Sequence, residues 1–109
     1  PWHTIKDLSS VKVPTLVVAC EKDITAPVRS HPQKFYDSMS AATPHAILEL
    51  VGEDHFCVNS NTEAVNKAVN GKMATAWLKV FMDNDARYKP FLAETKPSAI
   101  ISRYLKVGL

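Results

Sequence analysis

Two short apolar runs, separated by a more polar stretch, mark the first half of the chain. The run Thr15–Cys20 is continuous and rich in β-branched residues, a pattern typical of a strand covered on both faces. A second such run, Ala46–Val51, ends at Gly52. Between the two runs a helix is predicted to begin at a Ser30 cap and to end near Ala42. Strand, helix and strand in this order form a βαβ unit, so the two strands are predicted to be parallel.

The second half of the chain has a helical pattern in two parts. Ser60–Glu63 fits a capping box, and a short helix is predicted to follow it through Val69. Gly71 is predicted to interrupt this helix, and a longer one then follows whose apolar face consists of Met73, Ala76, Trp77, Val80 and Phe81. The pattern therefore predicts an α/β fold, and it assigns no structure to the tail after Tyr88.

The composition is that of an ordinary globular domain, or of part of one. The chain has 109 residues, of which 46% are hydrophobic and 22% charged. Its net charge of +2 is small and its basic residues are scattered, so no nucleic-acid partner is predicted. No apolar run approaches the roughly 20 residues of a membrane-spanning helix, and no motif for a metal or cofactor is found. Because the chain starts at Pro1 without a methionine or a signal peptide, we expect this start to be a cut in a longer protein.

A charged triplet directly follows the first predicted strand and points to chemistry there. Asp23 closes this triplet, and His55 follows the end of the second strand at a similar distance. Because the carboxyl ends of parallel strands share one sheet edge, the loops that leave them can bring these two side chains into hydrogen-bond contact. Asp23 would then orient the imidazole of His55 and stabilise its protonated form during proton transfer.

The two cysteines are consistent with the same geometry. Cys20 ends the first strand and Cys57 follows His55 closely, and their spacing suits a single disulfide better than a zinc site. Bridged cysteines need Cα atoms within about 7 Å of each other. If this bridge exists, it forces the loops of Asp23 and His55 together.

Each of these residues also has a simpler interpretation. Asp23 can cap backbone groups in a turn that leads to Pro27. His55 can be a loop histidine bonded to a carbonyl group, and Cys20 can be a reduced core residue. The remaining histidines have no comparable context and are predicted to lie on the surface: His3, His31 and His45.

A catalytic acid and histidine need a nucleophile, and the motif expected for one is not found in these 109 residues. In α/β-hydrolases the chain order is serine, acid and histidine, with the serine in a G-x-S-x-G turn. The glycines here are Gly52, Gly71 and Gly108, and none of them forms this motif. We therefore expect the nucleophilic serine to lie upstream of Pro1.

Five stretches of the chain are familiar when they are taken together: "PW" at 1–2, "SSVKVPTLVVACEKDITAPV" at 9–28, "FYDSM" at 35–39, "DHFCVN" at 54–59 and "AWLKVFMDNDARY" at 76–88. They resemble the C-terminal part of bacterial cutinase-like polyester hydrolases, a group that includes the poly(ethylene terephthalate) (PET) hydrolases and related secreted lipases of the α/β-hydrolase fold. The resemblance covers about residues 1–92, which implies the C-terminal part of an α/β-hydrolase domain over these residues and leaves residues 93–109 as a C-terminal tail with no assigned structure.

This resemblance implies roles for particular residues. It implies that Asp23 is the acid and His55 the base of a Ser-His-Asp triad. It also implies a Cys20–Cys57 disulfide beside the active site, as in the subgroup of mesophilic plastic-degrading enzymes and unlike the thermophilic cutinases. The loop from Asn59 to Gly71 resembles that subgroup's longer version. The residues implied to border the substrate cleft are Ile24, Thr25, Phe56 and Asn59.

Two features depart from the family pattern and shape the predicted function. The nucleophile and the oxyanion hole are missing, and no cysteine pair follows Leu92 where the family usually has one. We therefore predict the C-terminal segment of a secreted serine esterase that cleaves carboxylic esters of polyester, cutin or lipid type without a cofactor. The N-terminal portion of the same hydrolase would supply the serine, and the chain alone is predicted to be inactive.

Two alternatives stay open at this point. The chain can be one part of a split or nicked hydrolase that is active when it is docked to its companion. It can also be a non-catalytic interaction module that binds a partner through an open strand edge.

Overall fold

The computed structural model describes residues 6–59 and 64–109, which form a small mixed α/β structure. The strands are β1 (Thr15–Cys20), β2 (His45–Leu50) and β3 (Ile101–Val107), and the helices are α1 (Pro32–Ser38), α2 (Ala64–Phe81) and α3 (Lys89–Ala93). A 3-10 turn at Ala86–Tyr88 precedes α3. The described strands form one sheet in the order β1-β2-β3, in which β1 is parallel and β3 antiparallel to β2.

The predicted βαβ unit is confirmed, although α1 is shorter than predicted. It begins at Pro32 after His31 and ends at Ser38, short of Ala42. Ser30 does not cap it, because the Ser30 hydroxyl donates to the carbonyl oxygen of Pro27 at 3.2 Å. The helix ends at Ser38 because the backbone of the following residue is extended.

The two parallel strands differ in burial. Ala46, Ile47 and Leu48 of β2 are completely buried, because β2 lies between β1 and β3. The prediction that β1 is covered on both faces is wrong for its first four residues, Thr15 to Val18, which are half-buried. β1 lies at the edge of the sheet that the described residues form, and its outer edge has no strand partner among them.

The helical pattern of the second half is one continuous helix, α2, in the described residues. The predicted helix through Val69 is confirmed from Ala64 onward, and the predicted break at Gly71 is wrong. Residues 64–71 of the stretch expected as a loop are therefore helical. A helical glycine costs about 1 kcal/mol relative to alanine. Packing of the apolar face on the sheet outweighs that cost, and its buried members are Met73, Ala76, Trp77 and Val80. The predicted capping box at 60–63 lies outside the described residues.

The tail that the sequence left without a structure contains the third strand. β3 pairs with β2 in antiparallel register, and Ile101 and Tyr104 are buried in the core under α2. The Tyr104 hydroxyl donates to the carbonyl oxygen of Leu92 at 2.8 Å. Burial raises the pKa of Tyr104 to about 12. The tail is therefore part of the same core as the βαβ unit.

One of the three histidines predicted on the surface is in fact buried. His45 begins β2, where its Nδ1 lies 2.7 Å from the carbonyl oxygen of Thr43 and its ring contacts Tyr36. The central position of β2 explains this burial, because both of its neighbours and α1 cover it. His31 is half-buried, and His3 lies outside the described residues.

Candidate active site

The loops that follow β1 and β2 leave the sheet at the same edge. The strands are parallel and Cys20 pairs with Leu50, so the two chains pass the end of the sheet side by side. The Asp23 amide then donates to the carbonyl oxygen of Cys20 at 3.1 Å, which closes a turn directly after β1. This turn holds Asp23 close to the end of the second strand.

The Asp23 carboxylate is nearly buried, and both of its oxygens take part in hydrogen bonds. Its side chain is 8% exposed, and its Oδ1 accepts hydrogen bonds from the amides of Thr25 at 2.8 Å and Ala26 at 2.7 Å. Its Oδ2 lies 2.8 Å from Nδ1 of His55. Asp23 therefore both caps the turn and pairs with His55, because the two interactions use different oxygens of its carboxylate.

The same contacts set the charge state of Asp23. Burial by itself raises the pKa of this carboxyl group, but the hydrogen bonds from Ala26, His55 and Thr25 outweigh burial and lower the pKa below its usual value. The carboxylate is therefore ionised at neutral pH, which is the state that can accept a hydrogen bond from an imidazole.

A series of tight turns presents His55. Gly52 has a left-handed φ of 73°, which favours glycine, and it turns the chain out of β2. Asp54 then caps the loop, since its Oδ1 accepts from the Phe56 amide at 2.9 Å and its carbonyl oxygen accepts from the Cys57 amide at 3.1 Å. These bonds fix the backbone on both sides of the histidine.

The hydrogen bond to Asp23 determines which ring nitrogen of His55 carries the proton. An ionised carboxylate can only accept, so we assign the proton of the neutral ring to Nδ1. Nε2, on the opposite side of the ring, then has a lone pair. The side chain is 41% exposed, so this arrangement offers a proton acceptor at the surface of the described chain.

A disulfide joins the two loops. Cys20 and Cys57 are bridged with their Cα atoms 5.8 Å apart, and Cys57 is completely buried. The bridge links the last residue of β1 to a residue just beyond His55. The alternative that Cys20 is a reduced core residue is therefore wrong.

Exposed apolar side chains lie in the two loops that carry Asp23 and His55. Ile24, next to Asp23, is 92% exposed, and Phe56 is 61% exposed with its ring edge-on to the imidazole at 5.3 Å between centroids. Val58 is 59% exposed in the same loop and was not singled out from the sequence, where an isolated valine carries no distinctive signal. Thr25 and Asn59 are also exposed in these loops.

The sequence also pointed to a charged triplet without assigning Glu21 a role. Its Oε2 accepts a hydrogen bond from the Gly52 amide at 2.6 Å. Glu21 therefore connects the loop after β1 that carries Asp23, the acid loop, to the loop after β2 that carries His55, the histidine loop. No local pattern could have identified this contact, because the two residues are far apart in the chain.

Nothing in the described part of the chain forms a metal site or a membrane span. Residues 6–59 and 64–109 contain no group of three or more His, Cys, Asp or Glu side chains that could hold a metal ion. None of the helices in those ranges is long and apolar enough to cross a bilayer.

Comparison with known proteins identifies the family. The model of the PET hydrolase-like family, PETase, matches residues 1–106. The chain belongs to this family. The match reaches well beyond residue 92, where the resemblance seen in the sequence ended, and it includes most of β3.

Among the curated relatives of this PET hydrolase-like chain are cutinases. Cutinase 2 from Thermobifida cellulosilytica is 45% identical over 92 residues, which are 84% of this chain and 33% of that protein. Bis(hydroxyethyl) terephthalate hydrolase from Streptomyces coelicolor is 38% identical over 105 residues, or 95% of this chain and 32% of that protein. The chain therefore spans about a third of the length of these relatives.

The lowered pKa of Asp23 predicts an acid-dependent stability in this PET hydrolase-like chain. A group whose pKa is lower in the folded state stabilises that state above its unfolded pKa, about 3.9, and loses this contribution as the pH falls through the folded pKa. We expect the difference in free energy of unfolding between wild type and Asp23→Ala to shrink from about pH 5 to pH 2. Urea unfolding across this range measures it, and a difference that stayed constant would contradict the prediction.

Proposed function

We propose that this chain is the C-terminal segment of a serine hydrolase of the α/β-hydrolase fold that cleaves carboxylic esters of polyester or cutin type. One observation carries the proposal: in a member of the PET hydrolase-like family, the Asp23 carboxylate lies 2.8 Å from His55 Nδ1 at the edge where both loops leave the parallel strands. An open α/β sheet places its ligands at this edge.

The proposed mechanism uses His55 as the base and Asp23 as its orienting partner. A serine from the upstream part of the hydrolase attacks the ester carbonyl carbon while Nε2 of His55 accepts the serine proton. His55 then passes this proton to the departing alcohol, which leaves an acyl-enzyme. Water next attacks the acyl group while His55 accepts a proton from the water molecule, and His55 then returns this proton to the serine oxygen as the acyl–serine bond breaks and the acid product leaves. Asp23 keeps Nδ1 protonated throughout and stabilises the imidazolium form.

The N-terminal portion of the same hydrolase is the proposed partner. The chain spans about a third of the length of its relatives, and no G-x-S-x-G turn can be written with its glycines. The half-buried β1 has an outer edge without a partner among the described strands, which suits the addition of a neighbouring parallel strand. Both features support a serine supplied from outside these residues.

The proposed substrate is apolar and extended. Phe56, whose ring contacts His55, and Ile24, which follows Asp23, expose most of their surface, and burying such side chains against a substrate gains about 1.5–3 kcal/mol each. We propose that Thr25 and Asn59 border the same cleft, since both are exposed in the two loops. The names of the relatives, which include cutinases and a terephthalate ester hydrolase, support a polyester or cutin substrate.

We also propose that the protein works outside the cytoplasm. A disulfide such as Cys20–Cys57 persists in oxidising compartments and is rare in the cytosol. The lack of a membrane-spanning helix in the described residues is compatible with this proposal and does not by itself support it.

Joining the chain to its upstream portion tests the proposed function. We expect the chain alone to give no hydrolysis of a soluble p-nitrophenyl ester above background, and the joined protein to hydrolyse this ester and to release terephthalate from PET film. Restoration by mixing two separate chains would favour the split-enzyme alternative. Turnover by the purified chain alone would place the nucleophile within it and contradict the proposal.

The same experiment separates the esterase from the non-catalytic interaction module, which the open edge of β1 favours. An upstream portion that binds the chain but restores no ester hydrolysis would support the module and refute the esterase. The binding is measured by co-purification, independently of turnover.

A further inference from the structure

We propose that Glu21 is a positioning residue for His55, which it holds through the backbone of Gly52. The proposal rests on the proposed function of the Asp23–His55 pair and adds a residue to it. It concerns a side chain that does not contact the imidazole and therefore acts on the loop that presents it.

Glu21 belongs to a set of bonds that continue the pairing of β1 and β2 past the ends of the strands. Its amide donates to the carbonyl oxygen of Leu50 at 3.1 Å, and its Oε2 accepts from the Gly52 amide at 2.6 Å. The Lys22 amide donates to the carbonyl oxygen of Glu53 at 2.8 Å. The two residues that precede Asp23 are thus bonded to the last residue of β2, Leu50, and to two residues of the histidine loop, Gly52 and Glu53.

These bonds act at the bend that sets the direction of the histidine loop. Gly52 has a φ of 73°, and the chain reaches His55 three residues later. The next residue, Glu53, is bonded through its side chain to Asn66, which is buried on α2. The loop is therefore held from the acid loop on one side and from α2 on the other before it reaches His55.

The disulfide does not replace this contact. It fixes Cys57, which follows His55, whereas Glu21 fixes Gly52, which precedes it. Lys22 and Asn66 hold Glu53, the residue after the bend, whereas the Glu21 side chain holds the bend itself at Gly52. With both ends anchored, the imidazole keeps its distance to Asp23 and its orientation toward an incoming hydroxyl group.

The Glu21 contact is suited to positioning more than to folding stability. Both Glu21 and Gly52 are exposed, so water can replace the lost acceptor when the side chain is shortened. An exposed hydrogen bond of this kind contributes little to the free energy of unfolding. The expected consequence of its loss is a less well-defined loop in a protein that remains folded.

The test uses Glu21→Ala, Glu21→Gln and the control Glu94→Ala in the complete hydrolase, with a soluble ester as substrate. Glu94 is an exposed glutamate directly after α3, and none of its described hydrogen bonds joins it to either loop. We expect Glu21→Ala to lower kcat by about fivefold with little change in KM, since the loss concerns the placement of a reacting group. Glu21→Gln retains an oxygen that can accept from Gly52 and should recover most of the activity, and Glu94→Ala should match wild type.

A spectroscopic measurement distinguishes positioning from a general loss of structure. We expect the Nδ1 proton of His55 to give a downfield NMR signal while it is bonded to Asp23, and we expect this signal to shift or exchange faster in Glu21→Ala but not in Glu21→Gln. An unchanged kcat and signal in Glu21→Ala would overturn the proposal, as would a lowered melting temperature with unchanged kcat. If Glu21→Ala does not fold, Glu21→Asp, which is too short to span the contact, takes its place with the same expectations.

Failure of this proposal is distinguishable from failure of the proposed function. Asp23→Asn in the same enzyme reports on the pair itself. If Asp23→Asn abolishes turnover while Glu21→Ala has no effect, only the role of Glu21 is wrong.

Discussion

Replacing Asp23 with asparagine in the complete hydrolase is expected to lower kcat by about three to four orders of magnitude. Asparagine has nearly the same shape, and its oxygen can still accept the two backbone hydrogen bonds that Oδ1 receives from Thr25 and Ala26. It presents an amide group to His55, however, and this donor favours the tautomer in which Nδ1 is unprotonated. Nε2 then carries the proton and cannot act as a base.

The measurement is steady-state hydrolysis of a soluble ester, with Asp7→Asn as the matched control. Asp7 also caps a backbone amide two residues on, that of Ser9 at 2.8 Å, but it has no histidine partner among the described contacts. The control should therefore retain full activity. A loss below tenfold in Asp23→Asn would remove Asp23 from the catalytic group.

Removing the disulfide is expected to give the largest loss of stability. The bridge closes a loop with a sequence separation of 37 residues, and loop-closure entropy predicts that Cys20→Ser/Cys57→Ser lowers the free energy of unfolding by about 4 kcal/mol. Cys57 is also completely buried, so a serine hydroxyl there needs a hydrogen-bond partner. Because small domains have only about 5–15 kcal/mol of stability, the variant is expected to be marginal.

Denaturant unfolding of the double variant and of the wild type, with and without a reductant, measures this effect. The reductant should bring the wild type toward the variant and leave the variant unchanged, which serves as the control. A non-reducing peptide map should find Cys20 joined to Cys57. Free thiols in the unreduced wild type, or a loss below about 1 kcal/mol in the variant, would contradict the prediction.

Much of the βαβ unit could be predicted, because its signals are local. An apolar run of about six residues that is followed by a charged or turn-forming residue can be assigned as a buried strand without knowing which elements lie next to it. The parallel direction of the two strands follows from the helix between them, whereas the register, Thr15 with His45 through Cys20 with Leu50, was not predicted. The error at Gly71 has the opposite origin, since the packing of a whole helix face overrode the preference of one residue.

In the candidate site, too, one contact could be predicted from the sequence and another could not. The contact between Asp23 and His55 could be expected because both residues follow the carboxyl ends of parallel strands, and its catalytic role stays a prediction. The bond from Gly52 to Glu21 could not be expected, because a carboxylate next to a strand end has many possible partners. Which partner it meets depends on the path of a distant loop.

The sequence by itself determined the two parallel strands, the helix between them and the position of Asp23, His55 and the two cysteines at one edge of the sheet. These features depend on residues close together in the chain, or on the rule that parallel strands end at the same edge. Only the tertiary structure decided that the tail supplies an antiparallel third strand, that His45 is buried and that the first four residues of β1 are only half-buried. Each of these depends on which surfaces pack together, and packing joins residues that no local pattern connects.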